Sequence, residues 1–148
     1  MSKISLLVAI LIFSLLSACG FHTPTKITAL NVLITGKVDS VFAIKLKTHF
    51  NVEVAQSLVV QIDNEVQKKQ TATYSNGVSS SYTLTLSVPV KIFRNKKILL
   101  SKTLTASTTI GKLPTTQADR LQIDTNYLQL RNIVVTKLLR RLRYLDEN

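Results

Sequence analysis

From Tyr82 to Ile92 every second residue is apolar: Tyr82, Leu84, Leu86, Val88, Val90 and Ile92 alternate with Thr83, Thr85, Ser87 and Lys91. Successive side chains of a strand point to opposite faces, so this stretch must be β, with one greasy face and one wet face. The neighbouring segments extend the pattern into a meander of three strands, about 57 to 74, 80 to 93 and 97 to 110. Ser75-Asn76-Gly77-Val78 supplies the Asn-Gly pair that suits a tight hairpin, and Arg94-Asn95-Lys96-Lys97 supplies a second turn. Pro89 has no N–H to give to a ladder, which predicts a bulge or an unpaired stretch of edge there.

A sheet with one apolar face needs a cover, and the remaining sequence provides it. Ile27 to Ile34 is an apolar, β-branched run suited to a buried strand. Asp39 and Ser40 can cap a short helix over Ser40 to Phe50, in which Phe42, Leu46 and Phe50 recur every four residues. After Gly111 and Pro114 break the sheet, Thr116 with Asp119 resembles a capping box, and one long helix runs to Leu145. The expected fold class is therefore α+β: a two-layer sandwich of a mostly antiparallel four-stranded sheet, with a short and a long helix on one face.

The long helix has a wide apolar surface. Ile123, Tyr127, Leu130, Val134, Leu138, Leu142 and Leu145 form one stripe, which Leu121, Leu128, Val135 and Leu139 widen to about half the circumference, beyond the ~100° that faces a single core. Such a helix is either deeply embedded or touches a second surface besides its own sheet. At about 1.5 Å per residue it is ~45 Å long, and a 13-residue strand is ~43 Å. Its C-terminus should thus return to the Arg94 to Lys97 turn and gather Arg140, Arg141 and Arg143 with Arg94, Lys96 and Lys97 in one basic pole. The plain alternative is that these cations complement the helix dipole and keep a turn soluble.

The first 18 residues read as a leader. Lys3 precedes an almost wholly apolar run, Ile4 to Leu16, and small Ser17 and Ala18 precede the only cysteine, Cys19. About 20 residues are needed to span a bilayer, so the run is too short for a transmembrane helix. Leu16-Ser17-Ala18-Cys19 resembles the bacterial lipobox. That resemblance implies removal of residues 1–18, diacylglycerol on the Cys19 thiol and an N-acyl chain on its new amine. Gly20, where an Asp would favour the inner membrane, implies the outer membrane of a Gram-negative cell. Residues 19–26 would form a lipidated tether, and 27–148 a single domain.

Removing residues 1–18 removes one cation, Lys3, and takes the formal charge from +11 to +10. A charge of that size implies an anionic partner. Export argues against nucleic acid and for anionic phospholipid and lipopolysaccharide, although solubility alone would also account for it. With Cys19 acylated, no intrachain disulfide can form, and packing must hold the fold.

No catalytic constellation is apparent. His22 and His49 stand alone, the eight acids are scattered, and Gly20, Gly36, Gly77 and Gly111 form no phosphate loop. The expectation is a protein that is not an enzyme and holds no metal and no cofactor beyond the covalent lipid. An envelope enzyme would require acids or nucleophiles brought together from distant positions.

Cys19-Gly20-Phe21-His22, a strand, a short helix ending in Asn51-Val52-Glu53-Val54, a three-strand meander containing Tyr82-Thr83-Leu84-Thr85-Leu86, and a final helix with Leu-Arg-Asn and Leu-Leu-Arg-Arg-Leu together resemble the lipopolysaccharide-assembly lipoprotein LptE family. The resemblance covers essentially the whole chain. It implies a periplasm-facing outer-membrane lipoprotein, held in the inner leaflet of that membrane, that plugs and helps assemble the large β-barrel LptD. It also implies direct binding of lipopolysaccharide. Ligand-binding cations of the family lie near a meander turn and the strand-to-helix loop; here Ser75 to Val78 has no cation, and Lys112 is the nearest match, with Arg94, Lys96 and Lys97 the other candidates. A free-standing envelope lipoprotein that binds anionic lipid or glycolipid without a barrel is the competing expectation.

Overall fold

The structure is a computed structural model that describes residues 30–73 and 79–147. The expected leader, Cys19, the expected tether, residues 27–29 of the first expected strand and the expected turn at Ser75 to Val78 lie outside the described residues. Seven elements follow in order: β1 Val32–Gly36, α1 Val41–Lys47, β2 Leu58–Ile62, β3 Val66–Thr73, β4 Ser79–Arg94, β5 Lys97–Gly111 and α2 Thr116–Asp146. They build an α+β sandwich in which a five-stranded mixed sheet carries both helices on one face.

β4 is the spine of the sheet. β5 pairs antiparallel along its whole length on one side, from Ser81 opposite Gly111 to Arg94 opposite Lys97. On the other side β3 pairs with its first half and β2 with its second, both antiparallel. β1 lies outside β2 and runs parallel to it, because the chain crosses back through α1 between the two.

The first meander strand, expected as one run from 57 to 74, is broken at residues 63–65. Ile62 faces Val90 and Val66 faces Ser87, so three residues stand against two on β4, Pro89 among them. The backbone N–H of Asp63 donates to the Pro89 carbonyl at 3.1 Å, and the same edge of Pro89 lacks an N–H. The interruption thus forms where the partner strand has no donor, which is the bulge that Pro89 predicts. Four expected strands become five for this reason.

The Arg94–Lys97 hairpin turns on Asn95 and Lys96, with φ of 49° and 67°. Two left-handed residues in a two-residue loop match the twist of the flanking strands. At α1 the Ser40 hydroxyl accepts from the Ala43 N–H at 3.1 Å, and Phe42, Ala43 and Leu46 are buried. At α2 the cap falls one residue before the expected position: Thr115, not Thr116, accepts from the Ala118 N–H. Asp119 does not close a capping box but accepts from the Leu113 N–H at 2.9 Å, bracing the loop that enters the helix.

The core lies between the sheet and the helices. Tyr82, Leu84, Leu86, Val88, Val90 and Ile92 are all buried, with Val60 and Ile62 from β2, and Leu130, Val134, Leu138 and Leu142 from α2. α2 packs on β4 and β5 and leaves every residue of β3 exposed. Its wide apolar surface divides accordingly. Val135 is buried and Leu139 half-buried, but Leu121 and Leu128 remain 61% and 53% exposed on the flank of the helix.

Candidate functional site: a cationic cleft along the last helix

The C-terminal half of α2 is tied to the sheet at three points. Arg94 of the hairpin donates its guanidinium to the Leu145 carbonyl. Ser57, just before β2, donates its hydroxyl to Asp146 at 2.6 Å. Lys137 donates its ammonium to the Thr105 carbonyl of β5 at 2.7 Å. The helix C-terminus therefore returns to the Arg94–Lys97 end, as the two lengths require.

The third tie has a further consequence. β5 is an edge strand, and Thr105 belongs to the set of residues whose N–H and C=O point away from β4. An exposed row of that kind is a template for strand pairing, and a lysine laid across it blunts the edge. Lys137 and its neighbours on the same helix face, Arg140, Arg141 and Tyr144, recur at the i, i+3, i+4, i+7 spacing that stacks side chains in one line. Opposite them Lys102 stands on the helix-side face of β5, paired with buried Val90.

Between these elements opens a cleft of ≈ 640 Å³, lined by Lys102, Thr103, Leu104, Thr105, Lys137, Arg140, Arg141 and Tyr144. Four of the eight lining residues are cationic and none is acidic. Two guanidinium groups and two ammonium groups, of which the Lys137 ammonium already donates to the Thr105 carbonyl, form a wall of cationic hydrogen-bond donors. That donor set matches an oxyanion, above all a phosphate on an amphiphile, because arginine meets phosphate oxygens in a two-pronged geometry.

The candidate residues fall at both ends of the sheet. Lys96 and Lys97 are exposed at the hairpin tip, at the same end as the helix C-terminus, while the Arg94 guanidinium faces the helix carbonyl. Lys112 lies at the opposite end, a 15-residue strand away, about 50 Å at 3.3 Å per residue. There it belongs to a polar junction. The Leu113 N–H bond holds the Asp119 carboxyl below its usual range, aided by the Tyr82 hydroxyl and by the charges of Lys112 and Lys69, against the opposing effect of burial. Lys69 also sits 4.9 Å above the Tyr82 ring. Cys19 lies outside the described residues, as does His22.

Sequence reasoning placed Arg140 and Arg141 near the hairpin but missed Lys102 and Lys137. The helical spacing from 137 to 144 was a usable signal; the position of Lys102 depends on strand register, which nothing in its neighbourhood declares. A second missed pair is Glu65 with Arg131. The guanidinium contacts the carboxylate through Nε at 3.0 and 2.8 Å and Nη2 at 2.6 Å, with side chains only 11% and 14% exposed. Among the described residues, no three His, Cys, Asp or Glu side chains cluster to hold a metal, and no helix is long and apolar enough to cross a membrane.

No protein-family model matches the sequence, and no curated protein does. Solved structures do match in fold. The crystal structure of rare lipoprotein B from Shewanella oneidensis aligns with a TM-score of 0.69 at 12% identity, covering 79% of this chain and 96% of that one. The solution structure of an uncharacterized lipoprotein B from Nitrosomonas europaea gives 0.62 at 17% identity, covering 82% and 88%. A minor lipoprotein from Acinetobacter baumannii gives 0.55 at 18% identity, covering 78% and 90%. At these identities the likeness is one of fold.

Proposed function

We propose that this chain is a lipid-anchored, non-catalytic outer-membrane lipoprotein that binds lipopolysaccharide and works as the plug and assembly partner of an LptD-like β-barrel. Three lines support the reading. The solved proteins that share the fold are described as bacterial lipoproteins; the leader ends in a lipobox-like Leu16-Ser17-Ala18-Cys19; and the sequence resembles the LptE family throughout. Cys19 carries diacylglycerol and an N-acyl chain, which together anchor the protein stably, since one chain alone holds only marginally.

The observation that carries the ligand half of the proposal is the acid-free cationic cleft. Phosphates of lipid A and core sugars meet Lys102, Lys137, Arg140 and Arg141 there, with Lys96 and Lys97 at the same end of the molecule. Lys112 offers a separate and weaker contact, because it already faces Asp119. The barrel half draws on the opposite face of the sheet. Thr83 with Thr109 and Ser87 with Thr105 are paired hydroxyls, 3.3 Å apart in both cases, and a hydroxyl-lined face suits the polar lumen of an outer-membrane barrel.

Arg140→Glu with Arg141→Glu should weaken lipopolysaccharide binding at least tenfold, since each charge-assisted hydrogen bond is worth roughly 1.5–3 kcal/mol. Both residues are exposed, so the fold should survive. The loss should be greatest at low salt, and Lys112→Glu should cost less. Equal binding by the double variant would remove the cleft as the site.

A further inference from the structure

The outer face of the sheet is hydroxyl-rich along most of its length, but one row across it is apolar. Leu33 of β1 faces Val59 of β2, Val59 faces Phe93 of β4, and Phe93 faces Ile98 of β5. Side chains directly opposite share a face, so the four form a line across four strands, about 14 Å long at ~4.8 Å per strand; the last step lies beside a register shift between Ile92 and Phe93, where β5 carries Leu99 as an extra residue. Leu33 is 43% and Ile98 55% exposed, and Val59 and Phe93 are half-buried by their neighbours. No element covers this face among the described residues.

The surroundings of the row specify its occupant. It lies at the end of the sheet where the chain enters β1, and only ten residues, 20–29, separate Cys19 from Leu30. At most ~3.6 Å per residue, the eleven steps from Cys19 to Leu30 hold the body within about 40 Å of the acyl chains. The next row along the face contains Lys91, and the hairpin tip beside Ile98 carries Lys96 and Lys97. One carboxylate, Asp63, belongs to the strand break farther along, bonded by Gln61. The other acids at this end, Glu53, Asp146 and Glu147, sit in the segment after α1 and at the end of α2, and Asp146 is occupied by Ser57.

The geometry points to a second membrane contact: the Leu33–Val59–Phe93–Ile98 row docks the folded body on an anionic phospholipid surface. The row enters the headgroup boundary, and Lys96, Lys97 and Lys91 meet lipid phosphates. An apolar strip flanked by lysines binds such an interface by both terms together, and each lysine near an anionic surface contributes about 1 kcal/mol, or roughly a fivefold change. The inference rests on the lipoprotein reading for the tether, but the face stands on strand pairing and on the exposure of Leu33 and Ile98.

The test places an environment-sensitive fluorophore on the full-length protein through Ile98→Cys or Leu33→Cys, with Ser107→Cys at the hydroxyl end of the same face as control. Vesicles of phosphatidylethanolamine and phosphatidylglycerol should shift the emission of the first two to the blue and leave the third aqueous. Lys96→Ala with Lys97→Ala should cut the docked population by roughly fivefold per lysine, and phosphatidylcholine vesicles should abolish it. Aqueous emission at all three sites overturns the proposal, as does a shift that requires a co-purified barrel. Mass measurement of Cys19 separates the two readings. An acylated chain whose Ile98 probe stays in water refutes the docking face alone. A chain without acyl groups refutes the lipoprotein reading, and the difference between labelled Ile98→Cys and labelled unsubstituted chains still decides the docking face.

Discussion

Gly36 ends β1 with φ of +84°, and a Cβ there would stand 2.3 Å from the Ile62 carbonyl oxygen. Backbone cannot retreat as a side chain tip can, so Gly36→Ala combines left-handed strain with a main-chain clash. It should destabilise the protein by about 2–4 kcal/mol in urea unfolding; a loss under 1 kcal/mol would mean that the β1–β2 junction opens freely. The need for glycine here was invisible in the sequence, where Gly36 is one of four isolated glycines. It arises from the parallel pairing of β1 with β2, a long-range contact. Asn95-Lys96 was legible as a turn from its flanks, yet its left-handed geometry puts a lysine where glycine is the easier residue.

At the scale of elements, the clamp between Glu65 and Arg131 fastens the strand break to the middle of α2. Burial pushes the Glu65 carboxyl up, but hydrogen bonds from Arg131 and Gln67 and the Arg131 charge bring it below the ordinary 4.5. A depressed folded value stabilises above the unfolded one and is lost as pH falls through it. Arg131→Ala leaves a carboxylate buried without its partner and should cost roughly 2–3 kcal/mol at pH 7, less than a fully buried pair because both side chains keep some solvent. As pH falls and Glu65 takes up its proton, the cost should shrink. A cost that does not change as pH is lowered would show that Arg131 acts through packing.

The elements themselves were largely readable. The alternation over Tyr82 to Ile92 and the long apolar stripe of α2 are strong because they repeat over many residues; the first is buried throughout and the second from Tyr127 to Leu142, with Ile123 and Leu145 partly buried at its ends. The break at residues 63–65 was signalled only from across the sheet, by Pro89. The cap of α2 shifted by one because Thr115 and Thr116 are chemically alike, and Asp119 chose the Leu113 N–H instead.

The whole molecule has a direction. One end gathers the chain's entry into β1, the hairpin lysines, the apolar outer row and the C-terminus of α2; the other holds Lys112, Asp119 and Tyr82 in a closed polar junction. Along one side runs the cationic cleft, and along the outer face the hydroxyl ladder. Leu121 and Leu128 stay exposed on the helix flank beside a β3 that buries nothing, so the surplus of the wide stripe is a surface and not a core. A polarised body of this kind suits a protein held by one end at a membrane with a neighbour against its flank.

In the function we propose, this neighbour is a barrel. Mild detergent extraction of the native membrane, followed by affinity purification of the full-length protein, should yield a one-to-one complex with a large outer-membrane β-barrel protein. That complex should persist in unheated gel samples and dissociate on boiling. Recovery of the acylated protein alone would contradict the barrel partnership and leave a lipoprotein that meets its anionic ligand unaided.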